Sequence, residues 1–441
     1  MTPENSGPDA CDAAGPPDKS DDGITDPADL SDLSQSHHGR DTGQQLLHGA
    51  AASTQVSDRT ASRPNGDGSS TGRYRSQDAA PFSNGLSHLG GEKIYGALDL
   101  GTNNCRLLLA RPSRRGFRVV DAFSRIIRLG EGVSQTGRLS ELAMDRTMEA
   151  LKVCAGKLQR HSVSRTRLVA TQACRVAANG PAFVDRVRNN FNLDIEILTP
   201  EIEAHLAVAG CATLIDPATD YVLVFDIGGG SSEIIWLDMT RLGVRQDVLT
   251  GRGDVDDAIV AWESLPVGVV TLAERFGGRE VTAESFAAMS DAVTKLLLPF
   301  EAKHDFRSRT AGKPMHFLGT SGTVTTIAGV MLGLERYDRK RVDGIWLGTE
   351  DIKDVTSDLL AQSYEERIMQ PCIGRERADL VLAGCAILDA ILRLWPSDRL
   401  RVADRGLREG ILMRLMMEDG VWRAGRRRRG RGRRAKGAQA S

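Results

Sequence analysis

Two short segments of the chain combine an acidic residue, glycines and hydroxyl or amide side chains at the end of an apolar run. The first is Asp99-Leu-Gly-Thr-Asn-Asn-Cys-Arg106, and the second is Asp226-Ile-Gly-Gly-Gly-Ser-Ser-Glu233. Glycine lets the backbone approach a ligand closely, and successive N–H groups in such a turn bind anions. Carboxylates beside phosphate are typical ligands of a divalent cation. These residue types therefore favour binding of phosphate groups together with a divalent cation.

Each segment alone also has a plain structural explanation. The first is compatible with an ordinary hairpin turn that begins with aspartate. Three consecutive glycines in the second are costly unless the backbone must approach something closely. The two aspartates, Asp99 and Asp226, are 127 residues apart, and each follows an apolar run. This repetition indicates equivalent places in a duplicated structure and favours the phosphate-binding interpretation of both segments.

Two further segments carry candidate residues. Residues 318–325 (LGTSGTVT) join a predicted strand to a helix N-terminus, which suits phosphate, although a capped strand–helix turn explains them equally well. They are not a Walker P-loop, because no Gly-Lys-Ser/Thr follows. Residues 170–175 (ATQACR) end in Arg175 and precede a helix whose first turn contains Glu201 and Glu203. Acids there usually complement the helix dipole, so spacing alone does not choose a catalytic acid.

The elements that must position these segments occur in two similar halves. Each half begins with three apolar strand candidates and continues with helices of amphipathic spacing. The strand candidates are 93–100, 105–111 and 117–124 in the first half, and 221–227, 232–237 and 259–265 in the second.

We therefore expect an α/β fold of two lobes, each a mixed β-sheet with flanking helices, and an active-site cleft between them. We assign residues 92–212 to the first lobe, completed by a C-terminal helix at 404–422. Residues 213–403 form the predicted second lobe. A last predicted strand at 399–403 and a last predicted helix at 407–417 support this division.

Charge is distributed unevenly along the 441 residues, although the formal net charge is −1. Residues 1–91 carry 13 acidic and 6 basic side chains, whereas residues 423–441 carry eight arginines, one lysine and no acid. Neither segment can bury enough apolar surface to offset its ordering entropy, so we predict a disordered acidic head and a disordered basic tail. Two roles stay open for the tail, namely contact with polyanions including RNA and simple balance of the acidic head.

Several classes of protein are excluded. No run of about 18 uncharged apolar residues predicts a transmembrane helix, and the N-terminus does not read as a secretory signal. The seven cysteines include no C-x-x-C pair, and the eight histidines form no ligand cluster. Scattered cysteines indicate reduced thiols, so we expect a cytoplasmic protein.

Residues 92–418 resemble the exopolyphosphatase / guanosine pentaphosphate phosphatase (Ppx/GppA) family, in its short two-domain type. The resemblance is carried by the order and spacing of eight segments, which are DLGTNNCRLLL, RIIRLGEGV, ATQACR, TPEIEAHLA, DIGGGSSEI, SLPVGVVTL, GTSGTVTT and ADRGLREGIL. It implies two ribonuclease H-like lobes of the actin-like ATPase / sugar kinase superfamily. It also implies hydrolysis of the terminal phosphoanhydride of inorganic polyphosphate, with release of orthophosphate, or alternatively of guanosine pentaphosphate (pppGpp). Mg²⁺ is the implied cofactor.

The resemblance also implies roles for individual residues. Glu203 falls on the catalytic base. Asp226 and Glu233 fall on acids tied to the divalent cation and the attacking water, and Asp99 opens the first phosphate loop. The phosphate-binding residues that the motifs and the resemblance supply are Gly101, Thr102, Asn103, Asn104, Arg106, Arg175, Gly228, Gly229, Gly230, Ser231, Ser232, Gly319 and Ser321.

The chain departs from the family pattern at two of these places. Asn104 replaces the usual serine and keeps hydrogen bonding, and Ile202 replaces an acid directly before the base. The isoleucine at 202 predicts that the pKa of Glu203 is altered, while the base itself is retained.

Two rival functions remain open from the sequence. A kinase or ATPase of the same superfamily would need an adenosine pocket, and the segments around Glu203 and 264–268 argue against it. A non-catalytic sensor of pppGpp or polyphosphate would not need the four acids that this chain retains. The resemblance allows a homodimer, which nothing in the sequence demonstrates.

Overall fold

The structure is a computed structural model that describes residues 93–114, 116–243, 245–249 and 253–422. The predicted acidic head and basic tail lie outside the described residues. Within the described part, two mixed β-sheets with helices on their faces organise the chain, which confirms the expected α/β class. No helix in these ranges is both long and apolar enough to cross a bilayer.

The first sheet has five strands and five helices accompany it. The strands are β1 (Tyr95–Leu100), β2 (Asn104–Ser113), β3 (Gly116–Ile126), β4 (Arg165–Ala170) and β5 (Ile195–Ile197). The helices are α1 (Val133–Thr136), α2 (Glu141–Arg160), α3 (Gln172–Val176), α4 (Gly180–Phe191) and α5 (Pro200–Cys211). The strand order is β3-β2-β1-β4-β5. Strand β2 is antiparallel to both of its neighbours, β1 and β3, whereas β1, β4 and β5 are parallel to one another.

The second sheet has six strands. They are β6 (Tyr221–Ile227), β7 (Ser232–Asp238), β8 (Ile259–Leu265), β9 (Met315–Thr320), β10 (Trp346–Gly348) and β11 (Arg399–Ala403), in the order β10-β11-β9-β6-β7-β8. The helices that follow α5 are α6 (Arg245–Leu249), α7 (Val269–Phe276), α8 (Ala283–His304), α9 (Phe306–Thr310), α10 (Gly322–Met331), α11 (Arg339–Val342), α12 (Thr349–Ala361), α13 (Tyr364–Met369), α14 (Val381–Leu394) and α15 (Leu407–Glu418).

The strand register repeats between the two sheets. Asp99 on β1 lies opposite Arg106 on β2, and Asp226 on β6 lies opposite Glu233 on β7. Directly opposite residues of an antiparallel pair project to the same face with their Cβ atoms about 4.5–5.5 Å apart. The duplicated hairpin therefore places an acid beside an arginine in one sheet and beside a second acid in the other.

Helices α5 and α15 pack against each other at glycines. A Cβ at Gly210 would lie 1.9 Å from the carbonyl oxygen of Gly406, and a Cβ at Gly410 would lie 1.9 Å from that of Leu206. Any larger residue at either position would force the helices apart. Although it is the last helix, α15 also contacts β1 and β2 of the first sheet. The lobe boundaries at 212 and 403 stay a prediction.

Two elements differ from the sequence prediction because tertiary contacts decide them. Residues 172–176, for which the sequence predicted no element, form the short helix α3. No helix was expected at α7, whose first three residues, Val269, Val270 and Thr271, are β-branched and disfavour helix. The N-terminus of α7 is held by hydrogen bonds to a neighbouring loop, which supplies the support that local propensity does not.

Candidate active site

The two glycine segments fold into the same turn. We call residues 101–104 the first glycine loop and residues 228–231 the second. The amide of Gly101 donates to the carbonyl oxygen of Asn104 at 2.9 Å, and the amide of Gly228 donates to that of Ser231 at 3.0 Å. The duplication inferred from sequence is therefore a duplication of backbone geometry at the strand ends.

The two glycine loops approach each other closely. A Cβ at Gly229 would lie 3.0 Å from the Cβ of Thr102, and one at Gly230 would lie 2.0 Å from the side-chain oxygen of Gln172. Thr102 also donates a hydrogen bond to that oxygen at 3.2 Å. Glycine is required here because backbone from one lobe packs against side chains of the other.

A cleft of about 790 Å³ contains both glycine loops. Four of the acids that line it come one each from β1, α5, β6 and β7, namely Asp99, Glu203, Asp226 and Glu233. The phosphate-binding candidates on its wall are Gly101, Thr102, Asn103, Asn104, Arg106, Gly228, Gly229, Gly230, Ser231 and Ser321. The structure thus brings Asp99 and Glu233, which are 134 residues apart in the sequence, into the same cleft.

Burial raises the pKa of each of these acids. The pKa of Asp226 rises to about 7 because of burial first and then the charges of Glu233 and Asp99. Burial also raises the pKa of Glu233, although hydrogen bonds from Ser231 and Ser264 oppose the change. The pKa of Asp99 rises by burial against the attraction of Arg106. Burial therefore makes the charged form of each of these acids less favourable than it is in water.

Glu203 is positioned by the start of α5. Thr199 caps the helix, because its hydroxyl accepts the amide of Ile202 at 3.3 Å. Arg175 donates to the Glu203 carboxylate at 2.9 Å and to the carbonyl oxygen of Leu198 at 2.8 Å. Burial and the nearby charge of Glu233 raise the pKa of Glu203 well above its ordinary value, and Arg175 opposes them. Such a carboxylate is a suitable general base near neutral pH.

The acids Asp226 and Glu233 fit a divalent cation. They are register partners at one sheet edge, and neither forms an ion pair with lysine or arginine within the described residues. No set of three His, Cys, Asp or Glu side chains in the described ranges converges enough to hold a metal alone. Mg²⁺ usually binds through one or two carboxylates and takes its other oxygens from substrate phosphates and water. The donor set therefore suits Mg²⁺ that arrives with a phosphate substrate.

Three phosphate-binding candidates do not line the cleft. Arg175 contacts Glu203 instead. The hydroxyl of Ser232 is buried and donates to the carbonyl oxygen of Val267 at 2.8 Å. Gly319 lies within β9, where a Cβ would be 2.8 Å from the Phe225 ring. In this structure their contacts are with the protein itself, and their role in phosphate binding stays a prediction.

The cleft also contains residues that sequence reasoning did not select. They include Arg125, Gln172, Tyr337, Arg339, Arg377, Asp404, Arg408 and Glu409. Within the described part of the chain, Arg106 and Arg408 form neither a hydrogen bond nor an ion pair, although both face the cleft. Burial lowers the pKa of Arg408 from its ordinary value. The only sequence signal for Arg408 was its place in the segment ADRGLREGIL.

Comparisons with known proteins identify the family of the chain. The model of the Ppx/GppA phosphatase family matches residues 109–419. Among curated relatives, guanosine-5'-triphosphate,3'-diphosphate pyrophosphatases of Photobacterium profundum and Vibrio vulnificus are each 27% identical, over 73% and 76% of this chain. The chain spans 59% and 61% of the length of these two proteins.

Solved structures give the same result over nearly their whole length. The Ppx/GppA family member of Aquifex aeolicus is 28% identical, with a TM-score of 0.60, and the match covers 74% of this chain and 98% of that one. An exopolyphosphatase from Cytophaga hutchinsonii is 25% identical, with a TM-score of 0.64 and the same coverage. These neighbours have the actin-like fold that the resemblance implied. With its duplicated glycine loops and buried acids, the chain belongs to the Ppx/GppA phosphatase family.

Proposed function

We propose that the protein hydrolyses the terminal phosphoanhydride bond of inorganic polyphosphate and releases orthophosphate. The observation that carries this proposal is the meeting of two equivalent glycine loops with Asp99, Glu203, Asp226 and Glu233 in one cleft. Phosphoryl transfer needs mainly positioning and neutralisation of charge. The loops supply N–H donors for phosphate oxygens, and the acids supply a base and cation ligands.

In this mechanism the chain's own residues bind, orient and take up a proton. Amides of the two glycine loops and the guanidinium groups of Arg106 and Arg408 hold the terminal phosphates. Glu203, fixed by Arg175, orients a water molecule for in-line attack and accepts its proton. When bound through Asp226 and Glu233, Mg²⁺ supplies neutralisation of phosphate charge. Closure of the lobes on bound substrate would exclude bulk water from the cleft.

A second substrate, pppGpp, ends in the same anhydride. It is favoured by one observation, an apolar part of the cleft wall formed by Ile373, Leu380 and Val381, which polyphosphate would not need. A nucleoside has flat apolar faces that suit such a surface. The two relatives at 27% identity bear the name of a pppGpp-cleaving enzyme, and the Cytophaga structure that of an exopolyphosphatase.

Phosphate release from purified polyphosphate and from pppGpp under Mg²⁺ tests the proposal. We expect kcat/KM for polyphosphate to exceed that for pppGpp, because the cleft arginines bind successive phosphates. The reverse order would assign the protein to pppGpp. Formation of ADP from ATP with an acceptor would instead support the kinase alternative, and tight binding without turnover would support a sensor.

Arg408 gives a sharper prediction about substrate binding. Among the described residues the Arg408 guanidinium forms no hydrogen bond or ion pair and faces the cleft. Arg408→Ala should therefore raise KM by about tenfold to a hundredfold, the worth of a charge-assisted hydrogen bond. Arg408→Lys should recover part of the loss. Arg118→Ala, at an exposed position on β3, is the matched control and should leave steady-state kinetics unchanged. An unchanged KM in Arg408→Ala would contradict a role in phosphate binding.

Location and partners complete the proposal. We place the enzyme in the cytoplasm, which is supported by the six described cysteines, all of them free. The basic tail lies outside the described residues, and its contact with polyanions such as polyphosphate or RNA stays a prediction. A homodimer likewise stays a prediction that the family resemblance allows.

A further inference from the structure

The carbonyl groups of the first glycine loop are held by a segment that follows β3. We call residues 127–136 the strap. The amides of Ile127 and Arg128 both donate to the carbonyl oxygen of Asn103, at 2.9 and 3.1 Å, and the amide of Gly130 donates to that of Thr102 at 2.9 Å. These hydrogen bonds to the strap, together with the Gly101–Asn104 bond inside the loop, fix the backbone of the first glycine loop.

The carbonyl groups of the second glycine loop are held in the same way by α7. The amide of Val269 donates to the carbonyl oxygen of Gly228 at 3.0 Å, and that of Val270 donates to that of Gly229 at 2.8 Å. Gly268 packs so closely that its Cβ would lie 2.4 Å from the carbonyl carbon of Gly229. Each phosphate loop thus has its own backbone support, one from each lobe.

The two supports are joined by one carboxylate. Glu274 on α7 accepts the amide of Gly132 at 2.8 Å and the hydroxyl of Ser134 at 2.5 Å, and both donors belong to the strap. Asp379 adds a second connection, because Arg128 of the strap forms a two-point ion pair with it at 2.9 and 3.0 Å. The path from loop to loop therefore runs through the strap, Glu274 and α7 without passing through the cleft.

The strap is itself anchored to the first lobe. Arg146 on α2 donates to the carbonyl oxygens of Ile127 and Arg128, at 3.0 and 3.3 Å, and pairs with Glu131 at 2.9 Å. Leu129 is fully buried. Arg128 has a positive φ of 47°, a backbone conformation that non-glycine residues adopt rarely and that persists only when surrounding contacts impose it. The strap is consequently fixed to the first lobe by hydrogen bonds and by a buried side chain.

We propose that Glu274 is a positioning residue that fixes the spacing of the two glycine loops, so that both address the same terminal phosphate. The proposal rests on the proposed function only in the kinetic part of its test. Glu274 does not line the cleft and touches neither loop directly. Its effect is expected on the transition state, because misplacement of binding groups by about 1 Å costs about a hundredfold in rate.

The experiment compares amide hydrogen exchange and kinetics in Glu274→Ala with those of the full-length wild-type chain. We expect peptides that contain the first and the second glycine loop both to exchange about tenfold faster, because each loop opens locally more often. We expect kcat to fall by about tenfold to a hundredfold with little change in KM, the pattern of an interaction realised in the transition state. Glu280→Ala, an exposed glutamate of the same lobe, is the matched control and should change neither.

Two further variants keep the proposal open to refutation if Glu274→Ala folds poorly. Ser134→Ala removes one of the two hydrogen bonds and should produce the same changes at smaller size. Arg128→Asp alone and Asp379→Arg alone should each increase the exchange rates of the glycine loops. The double variant, which exchanges the two charges, should return these rates toward those of the wild type. Wild-type exchange in either glycine loop of Glu274→Ala, or of Ser134→Ala where the former does not fold, would overturn the proposal. Hydrogen exchange tests the role of Glu274 even if neither polyphosphate nor pppGpp is hydrolysed. Failure of the Glu274 proposal can therefore be distinguished from failure of the proposed function.

Discussion

Glu203→Gln should lower kcat for phosphate release by about a hundredfold to ten-thousandfold, the usual contribution of a general base. Glutamine keeps the size of the side chain and can still accept a hydrogen bond from Arg175, which donates to Glu203 at 2.9 Å. It cannot accept a proton from water. We therefore expect substrate affinity to be retained, which equilibrium binding of polyphosphate would measure beside the rate.

The matched control for this change is Glu201→Gln. Glu201 lies on the same helical turn but is exposed, whereas Glu203 is 8% exposed and lines the cleft. Two residues along a helix are about 200° apart, so the two carboxylates face different surroundings. Near wild-type turnover in Glu203→Gln, or an equal loss in Glu201→Gln, would contradict the assignment of the base.

The pH dependence gives an independent check on Glu203. The base acts when deprotonated, and its pKa is raised by burial and by Glu233, so activity should be lost as pH falls through that raised value. Arg175→Met removes the guanidinium that favours the charged carboxylate. The acid limb of kcat against pH should therefore move to higher pH in that variant. A limb that stays in place would show that the titrating group is not Glu203.

The glycine loops were predictable because their signal is local. Apolar runs that end in Asp-x-Gly place each acid at a strand end, and the repeat 127 residues later doubles the signal. Residue spacing alone could not decide whether Glu201 or Glu203 is the catalytic base, and that assignment depended on the family resemblance. Helix geometry now gives a physical reason, since α5 presents Glu203 to the cleft and Glu201 to solvent.

The remaining parts of the site could not be predicted because they depend on contacts between distant segments. Arg408 reaches the cleft only because α15 returns to the first sheet and packs on α5. Helix α7 starts with residues that disfavour helix and is stabilised by carbonyls of the second glycine loop. Gly319 carries a strong local glycine signal, but the Phe225 ring explains it by packing. Composition and spacing contain none of these contacts.

Asp226→Asn should abolish the response of the protein to Mg²⁺ and lower turnover by at least about a hundredfold. Asparagine keeps the shape of the side chain but removes one of the two carboxylates that fit the cation, and hard divalent cations prefer charged oxygen ligands. Any ligand that binds only the folded state raises the melting temperature by mass action. Mg²⁺ with a non-hydrolysable polyphosphate analogue should thus raise the Tm of the wild type and not that of the variant.

The same substitution should stabilise the metal-free protein, which separates loss of the cation site from damage to the fold. The pKa of Asp226 rises from 3.8 to about 7 on folding, so the folded state binds more protons than the unfolded state between these values. Wild-type stability therefore falls as pH rises through that window, and the full penalty is present above about pH 7. Asparagine carries no such penalty, so with chelator above pH 7 we expect a gain on the order of 1–4 kcal/mol. Below pH 3.8 the difference should vanish, because aspartate is then protonated in both states. A variant less stable than wild type above pH 7 in chelator would instead indicate that Asp226 holds the second glycine loop together, and its lost turnover would no longer report on the cation.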